Sequence, residues 1–209
     1  CDLPALEQEV MRIGARIEII SPSVEETFVE RNIETAVAAA RAVQTLRGAD
    51  FDEEECRRVC EASRWPCRFE VISASPEIVL DAAHNPPAAE ALARALKKLP
   101  PRRKTVALVA FVSDKDIPGF FVRLDEVVDE WIVTEFEGGR AMKASDIAAP
   151  FNSSVEPNME NALRRAREAA GPHGRILLTG SLYFLGELLR RNVVDSPSYR
   201  TLNPSFRGI

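Results

Sequence analysis

Apolar and polar positions follow two different rhythms along these 209 residues. From residue 69 onward, short apolar runs alternate with segments of helical spacing. Val106-Ala107-Leu108-Val109-Ala110-Phe111-Val112 and Ile176-Leu177-Leu178 have no polar face, as expected of strands covered on both sides. Strands are expected at 69–73, 78–80, 105–112, 131–136 and 175–179. Helices are expected at 87–98, 117–128, 145–149, 158–170 and 182–191. In the first of these helices Ala88, Ala89, Leu92, Ala95, Leu96 and Leu99 recur at intervals that fall on one face. Such alternation predicts an α/β fold, a mostly parallel sheet with helices on both faces.

Residues 1–68 read as mainly helical. A helix at 5–13 and an alternating strand at 15–20 lead to the break Ser21-Pro22-Ser23. An alanine-rich helix follows at 32–47, with Ile33, Ala36, Val37, Ala40, Val43 and Leu46 as its apolar stripe. Gly48 stands just past its end, where a helix C-cap belongs. A shorter helix is expected at 52–61. Residues 193–209 show neither period and read as a tail, packed on the surface or disordered. The expected division is therefore 1–68, 69–192 and a tail at 193–209.

Composition changes this picture little. The chain is 45% hydrophobic and 28% charged, with a net charge of −5, ordinary values for a soluble globular protein. The acidic balance argues against nucleic acid as a partner. No apolar run approaches the roughly 20 residues that span a bilayer, and no secretory signal is visible. A cytoplasmic protein is expected. The cysteines Cys1, Cys56, Cys60 and Cys67 all lie in the first third. Cys56 and Cys60 share a helical face, but zinc takes about four ligands and the chain has only two histidines. Reduced thiols are the expectation, with no metal site. The first residue is Cys1 rather than methionine, which implies processing or a start elsewhere.

The densest chemistry lies in Leu80-Asp81-Ala82-Ala83-His84-Asn85-Pro86-Pro87, where an apolar strand becomes a helix. Ligands of open α/β sheets bind at the carboxyl ends of strands. Asp81 there is suited to accept ribose hydroxyls or orient a cation, or else to cap the helix or brace the turn. His84 is suited to an anion or a proton near neutrality, or to a structural bond in the turn. Arg68, between the two rhythms, is able to grip a phosphate bidentately, or to form a surface ion pair. Ser181 ends the last strand and either caps the next helix or joins its N-terminus in binding an anion. Asp114-Lys115-Asp116 ends another strand and reads as a solvated turn. No glycine-rich phosphate loop is present.

These segments resemble folylpolyglutamate synthases, including the bifunctional dihydrofolate synthase form, within the Mur ligase superfamily. The resemblance rests on Trp65-Pro66-Cys67-Arg68-Phe69-Glu70 and Asp81-Ala82-Ala83-His84-Asn85-Pro86. Asp114-Lys115-Asp116, Thr179-Gly180-Ser181-Leu182-Tyr183 and Asn32-Ile33-Glu34-Thr35-Ala36 agree in family order. It implies a Rossmann-like C-terminal ligase domain preceded by the end of a central ATPase domain. It also implies ATP and magnesium, an acyl phosphate formed on a folate or dihydropteroate carboxylate, and attack by L-glutamate. By position, Asn32 would meet the base, Arg68 the phosphates and Asp81 the ribose, with His84 and Ser181 toward glutamate and the acyl phosphate. The family's phosphate loop and metal ligands would lie in an N-terminal domain upstream of residue 1, so this chain alone would be inactive. Cys67 and Ala82 replace family glycines, and the cysteine is expected to disturb the Arg68 segment. Another Mur-type amino-acid ligase, or a non-catalytic binding module, are the alternatives.

Overall fold

The computed structural model describes residues 28–147 and 153–202, with Val10 and Arg12. The chain divides into two compact units, residues 1–63 and 64–209. The expected strand at 15–20, and most of the helix at 5–13, lie outside the described residues.

In the first unit α1 (Phe28–Arg47) packs against α2 (Glu53–Ala62). Asp52 caps α2, its carboxylate accepting the Glu55 N–H at 2.9 Å. Arg57 of α2 grips Glu34 of α1 with two guanidinium nitrogens, and Arg41 reaches Glu53 at 2.6 Å. The expected apolar stripe of α1 is covered only in part. Val37 is buried, Ile33 and Ala40 are half-buried, and Ala36, Val43 and Leu46 are exposed, Leu46 at 88%. Length explains this among the described residues: at about 1.5 Å per residue, α2 covers half the span of α1.

The second unit holds the sheet. Its elements are β1 (Glu70–Ala74), β2 (Glu77–Leu80), α3 (Pro86–Lys98), β3 (Thr105–Val109), α4 (Ile117–Leu124), β4 (Glu130–Val133), β5 (Ser153–Val155), α5 (Met159–Ala170), β6 (Arg175–Thr179), α6 (Leu182–Arg190) and α7 (Pro197–Leu202). Strand order is β1-β2-β6-β3-β4-β5. β1 pairs antiparallel with β2, and every other pairing is parallel. The expected mostly parallel sheet is therefore present.

Strand residues divide by parity between two cores. Val79, Ala107, Val109, Trp131, Val133 and Leu177 face α3 and α4. Ile78, Leu80, Val106, Leu108, Ile132, Ile176 and Leu178 face α5 and α6. β2, β3 and β6 are buried along their whole length, which is why their sequences show no alternation. At the opposite end from the strand termini discussed below, Glu77 and Arg175 form a buried ion pair across β2 and β6, and Arg102 joins Glu77 at 2.8 Å.

Several boundaries differ from expectation. β3 and β4 are shorter, because residues 110–112 and 134–136 leave the sheet toward its carboxyl edge. α4 ends at Leu124, not 128. The helix expected at 145–149 is, in its described part, one 3-10 turn, Ala144–Asp146. β5 has too few apolar residues to announce itself. Beyond 193, α7 forms a short helix. Its readable signal was Ser196-Pro197, a capping residue followed by proline at the first helical position.

Candidate functional site

β6 lies between β2 and β3, yet the helix after β6 covers one face while those after β2 and β3 cover the other. Chains leaving adjacent strands in opposite directions open a crevice at the carboxyl edge, where α/β sheets bind ligands. The residues singled out by the sequence at 81, 84 and 181 all fall on this edge.

The turn after β2 is built by a chain of hydrogen bonds. The Asp81 N–H donates to Leu178 at 3.1 Å, extending the pairing of β2 with β6. Its carboxylate accepts the Ala83 N–H at 2.9 Å and the Phe69 N–H at 2.9 Å. Asp81 thus braces the turn and ties it to the segment before β1; Asn85, accepting the Ala88 N–H at 2.9 Å, caps α3. Asp81 is 5% exposed. Burial pushes its carboxyl up to about 6, against the pull of the Ala83 and Phe69 amides and the charges of Arg68 and His84. Each oxygen keeps a lone pair beyond the one spent on an amide.

His84 is half-buried, and its Nδ1 lies 2.9 Å from the Ala82 carbonyl. A carbonyl only accepts, so Nδ1 carries the proton. In the neutral ring this leaves Nε2 with a free lone pair. The structural bond and the functional role are therefore compatible, one on each nitrogen.

The exit of β6 is joined to this turn through one atom. The Ala83 carbonyl accepts the Gly180 N–H at 2.9 Å and the Thr179 hydroxyl at 3.2 Å. Gly180 has φ 100°, and a Cβ there would stand 2.7 Å from the Ala110 carbonyl at the exit of β3. Glycine is required twice over, by conformation and by close approach. Ser181 follows, 2% exposed, and caps α6 by accepting the Tyr183 N–H at 3.2 Å. Its hydroxyl proton remains a donor.

On the neighbouring exit of β3, Asp116 caps α4 through the Gly119 N–H at 3.0 Å. Lys115 is half-buried, 3.5 Å from Asp114. A cation on this edge is a feature that the sequence alone presented as a solvated turn. A cavity of about 320 Å³ lies among Val112, Phe136, Arg140, Tyr183 and Glu187. Arg140 donates to the Tyr183 hydroxyl at 3.1 Å and stacks over its ring.

Arg68 is exposed, on the segment that Phe69 and Cys67 fasten to the Asp81 turn. Cys67 has φ 59° and Phe69 φ 48°, left-handed values rare outside glycine. The cysteine expected to disturb this segment instead adopts the glycine-like conformation. Its carbonyl accepts the Ala82 N–H at 2.9 Å. Ala82 is absent from the positive-φ residues, so its replacement of glycine is mild. Burial, then Glu70 and Asp81, push the Cys67 thiol up to about 12, and at neutral pH it is a protonated packing group. Asn32 lies exposed on α1 in the first unit. Among the described residues no three His, Cys, Asp or Glu side chains gather to hold a metal, and no helix is long and apolar enough to cross a membrane.

Known proteins are similar to this chain in sequence and fold. The dihydrofolate synthase/folylpolyglutamate synthase of Escherichia coli K12 is 31% identical over 166 residues, 79% of this chain and 38% of its own length. The solved E. coli FolC in complex with ADP superimposes with a TM-score of 0.68 at 31% identity, covering 76% of this chain and 38% of that one. A bifunctional folylpolyglutamate synthase/dihydrofolate synthase with Mn, AMPPNP and L-glutamate bound gives 0.63 at 31%, covering 73% and 37%. The chain thus spans about two fifths of the length of these relatives. Residues 67–182, from the left-handed cysteine to the first turn of α6, match the Mur ligase glutamate ligase domain. That stretch is more than half of the chain, and the protein belongs to this family of ligases.

Proposed function

We propose that this chain is the C-terminal part of an ATP-dependent ligase that adds L-glutamate to the carboxylate of a folate or a dihydropteroate. Residues 1–68 would end the central ATPase domain, 69–192 would form the ligase domain, and 193–209 its tail. The observation that carries this reading is the bonding of the Asp81–His84 turn to the Gly180-Ser181 exit through the Ala83 carbonyl. It sets an acid, an imidazole nitrogen and a hydroxyl along one strand edge. The ADP held by the E. coli relative, and the AMPPNP and glutamate held by the second structure, supply the matching ligands.

Within this reading Arg68 binds the nucleotide phosphates, Asn32 the base and Asp81 the ribose. The Nε2 of His84, the hydroxyl of Ser181 and the N-terminal amides of α6 face the glutamate and the acyl phosphate. Lys115 offers a cation to a glutamate carboxylate. Bound ATP supplies the phosphoryl group that activates the folate carboxylate. Side chains of this kind catalyse by positioning and by fixed charge, without a covalent nucleophile. The magnesium that accompanies ATP would be held beside the phosphate loop of an N-terminal domain. The free thiols Cys56, Cys60 and Cys67 suit the reducing cytoplasm.

The test is an assay of the natural polypeptide that carries this sequence. ADP release should require both L-glutamate and a reduced folate or dihydropteroate, and His84→Ala should raise the glutamate KM. Release of ADP with a UDP-muramoyl substrate instead would reassign the ligase. Absence of any acceptor-dependent ADP release would refute the proposal.

A further inference from the structure

The C-terminal segment folds back onto the residue that fixes the Arg68 turn. Val194 is buried in the core beneath α5 and α6, and Val193 and Tyr199 pack against that core. Ser196, 1% exposed, caps α7 by accepting the Tyr199 N–H at 3.0 Å. It donates its own proton to Glu70 Oε1 at 2.7 Å, and the Ser198 N–H reaches the same oxygen at 3.2 Å. The second oxygen of Glu70 accepts the Cys67 N–H at 3.2 Å.

One carboxylate therefore joins the tail to the left-handed residue immediately before Arg68. A non-glycine residue in that conformation persists only when its surroundings over-determine it. Cys67 is held at its N–H by Glu70 and at its carbonyl by Ala82, while the Phe69 N–H is held by Asp81. Arg68 sits between these anchors. Hydrogen bonds to a carboxylate are the stronger kind, and three of them converge on Glu70.

We propose that Glu70, fastened by the C-terminal strap of residues 193–202, positions Arg68 for the phosphates of the nucleotide. Glu70 is a positioning residue with no ligand contact of its own. The proposal rests on the reading of Arg68 as a phosphate ligand, and it gives the tail a role in nucleotide affinity. A guanidinium grips phosphate through two aligned N–H groups, so a loosened backbone weakens the grip before it weakens anything on the glutamate side.

The experiment compares Arg68→Ala, Glu70→Ala, Glu70→Gln and Ser196→Ala in the natural polypeptide, with steady-state kinetics and thermal melting for each. Glu70→Ala and Ser196→Ala should raise the ATP KM about five- to tenfold, the scale of one weakened hydrogen bond to the phosphates. The glutamate KM and kcat should stay within about twofold of the parent. Glu70→Gln keeps an acceptor for Ser196 and Ser198 and should recover part of the loss. Lower melting temperatures with an unchanged ATP KM in Glu70→Ala and Ser196→Ala, alongside a raised one in Arg68→Ala, would overturn the strap and leave the phosphate reading standing. An unchanged ATP KM in Arg68→Ala would overturn both.

Discussion

Replacing Asp81 by asparagine separates the structural cost of this carboxylate from its use. The group titrates at about 6 in the folded chain, against 3.8 for an ordinary aspartate. Burial at 5% exposure outweighs two backbone donors. A carboxyl raised in this way holds its proton more tightly folded than unfolded. Below pH 3.8 both states are protonated and the difference contributes nothing. Between there and about 6 the folded state keeps a proton that the unfolded state has lost, so stability falls as pH rises. At about 1.4 kcal/mol for each pH interval, the ionised group costs ~3 kcal/mol at neutrality.

Asparagine shares the neutral charge of the protonated acid, but its amide nitrogen donates two protons and accepts none, so either the Ala83 or the Phe69 N–H loses its partner. The variant should lie below the parent near pH 4, by the cost of one unpaired amide, and gain on it by up to ~3 kcal/mol between pH 4 and pH 8. Urea unfolding of both proteins from pH 4 to 8 measures this, because groups elsewhere titrate in both and cancel in the difference. The same variant should bind ATP more weakly, the pattern expected when a buried charge is kept for use rather than stability. A difference that stays constant within about 0.5 kcal/mol would show that burial does not govern Asp81. A difference that moves the opposite way with pH would mean that its hydrogen bonds win.

Gly180→Ala places a methyl 2.7 Å from the Ala110 carbonyl at φ 100°, and should cost about 3 kcal/mol in urea unfolding; a loss under about 1 kcal/mol would show that the exits of β3 and β6 part easily. Cys67→Gly relieves a left-handed cost of about 1–2 kcal/mol but loses a buried thiol and gains unfolded-state freedom, so stability should move by less than about 1 kcal/mol. Cys67→Val, β-branched at φ 59°, should lose more than about 2 kcal/mol in the same assay. Equal losses in the two Cys67 variants would assign the role of that residue to packing rather than backbone.

Much of the second unit was readable because its signals are local. β3 and β6 are buried on both faces, and a short, unbroken, β-branched apolar run between turn signals suits that place. Ser181 caps α6, one of the two roles expected of it, whereas the cap of α3, offered by the sequence to Asp81, falls to Asn85. Where the signal depended on partners far along the chain, the sequence was silent. β5 is an edge strand of three residues whose place depends on β4. The tail has no period, because Val194, Ser196 and Tyr199 contact the unit at single points rather than along a face.

The site shows the same division. Asp81, His84 and Ser181 were visible as polar residues at strand ends, but the bonds through the Ala83 carbonyl cross 96 residues or more and no spacing announces them. The two departures from the family's glycines show why position in space decides. Ala82 and Cys67 are hydrogen-bonded to each other, yet one substitution falls in ordinary backbone and the other at φ 59°. Only the second needs an external anchor, and Glu70 supplies it from three residues away while being held itself by Ser196, 126 residues further on. A glycine at 67 would adopt this turn without help. With cysteine there, the conformation that presents Arg68 depends on the tail, so nucleotide affinity in this chain should be more sensitive to Ser196→Ala than in a Cys67→Gly background.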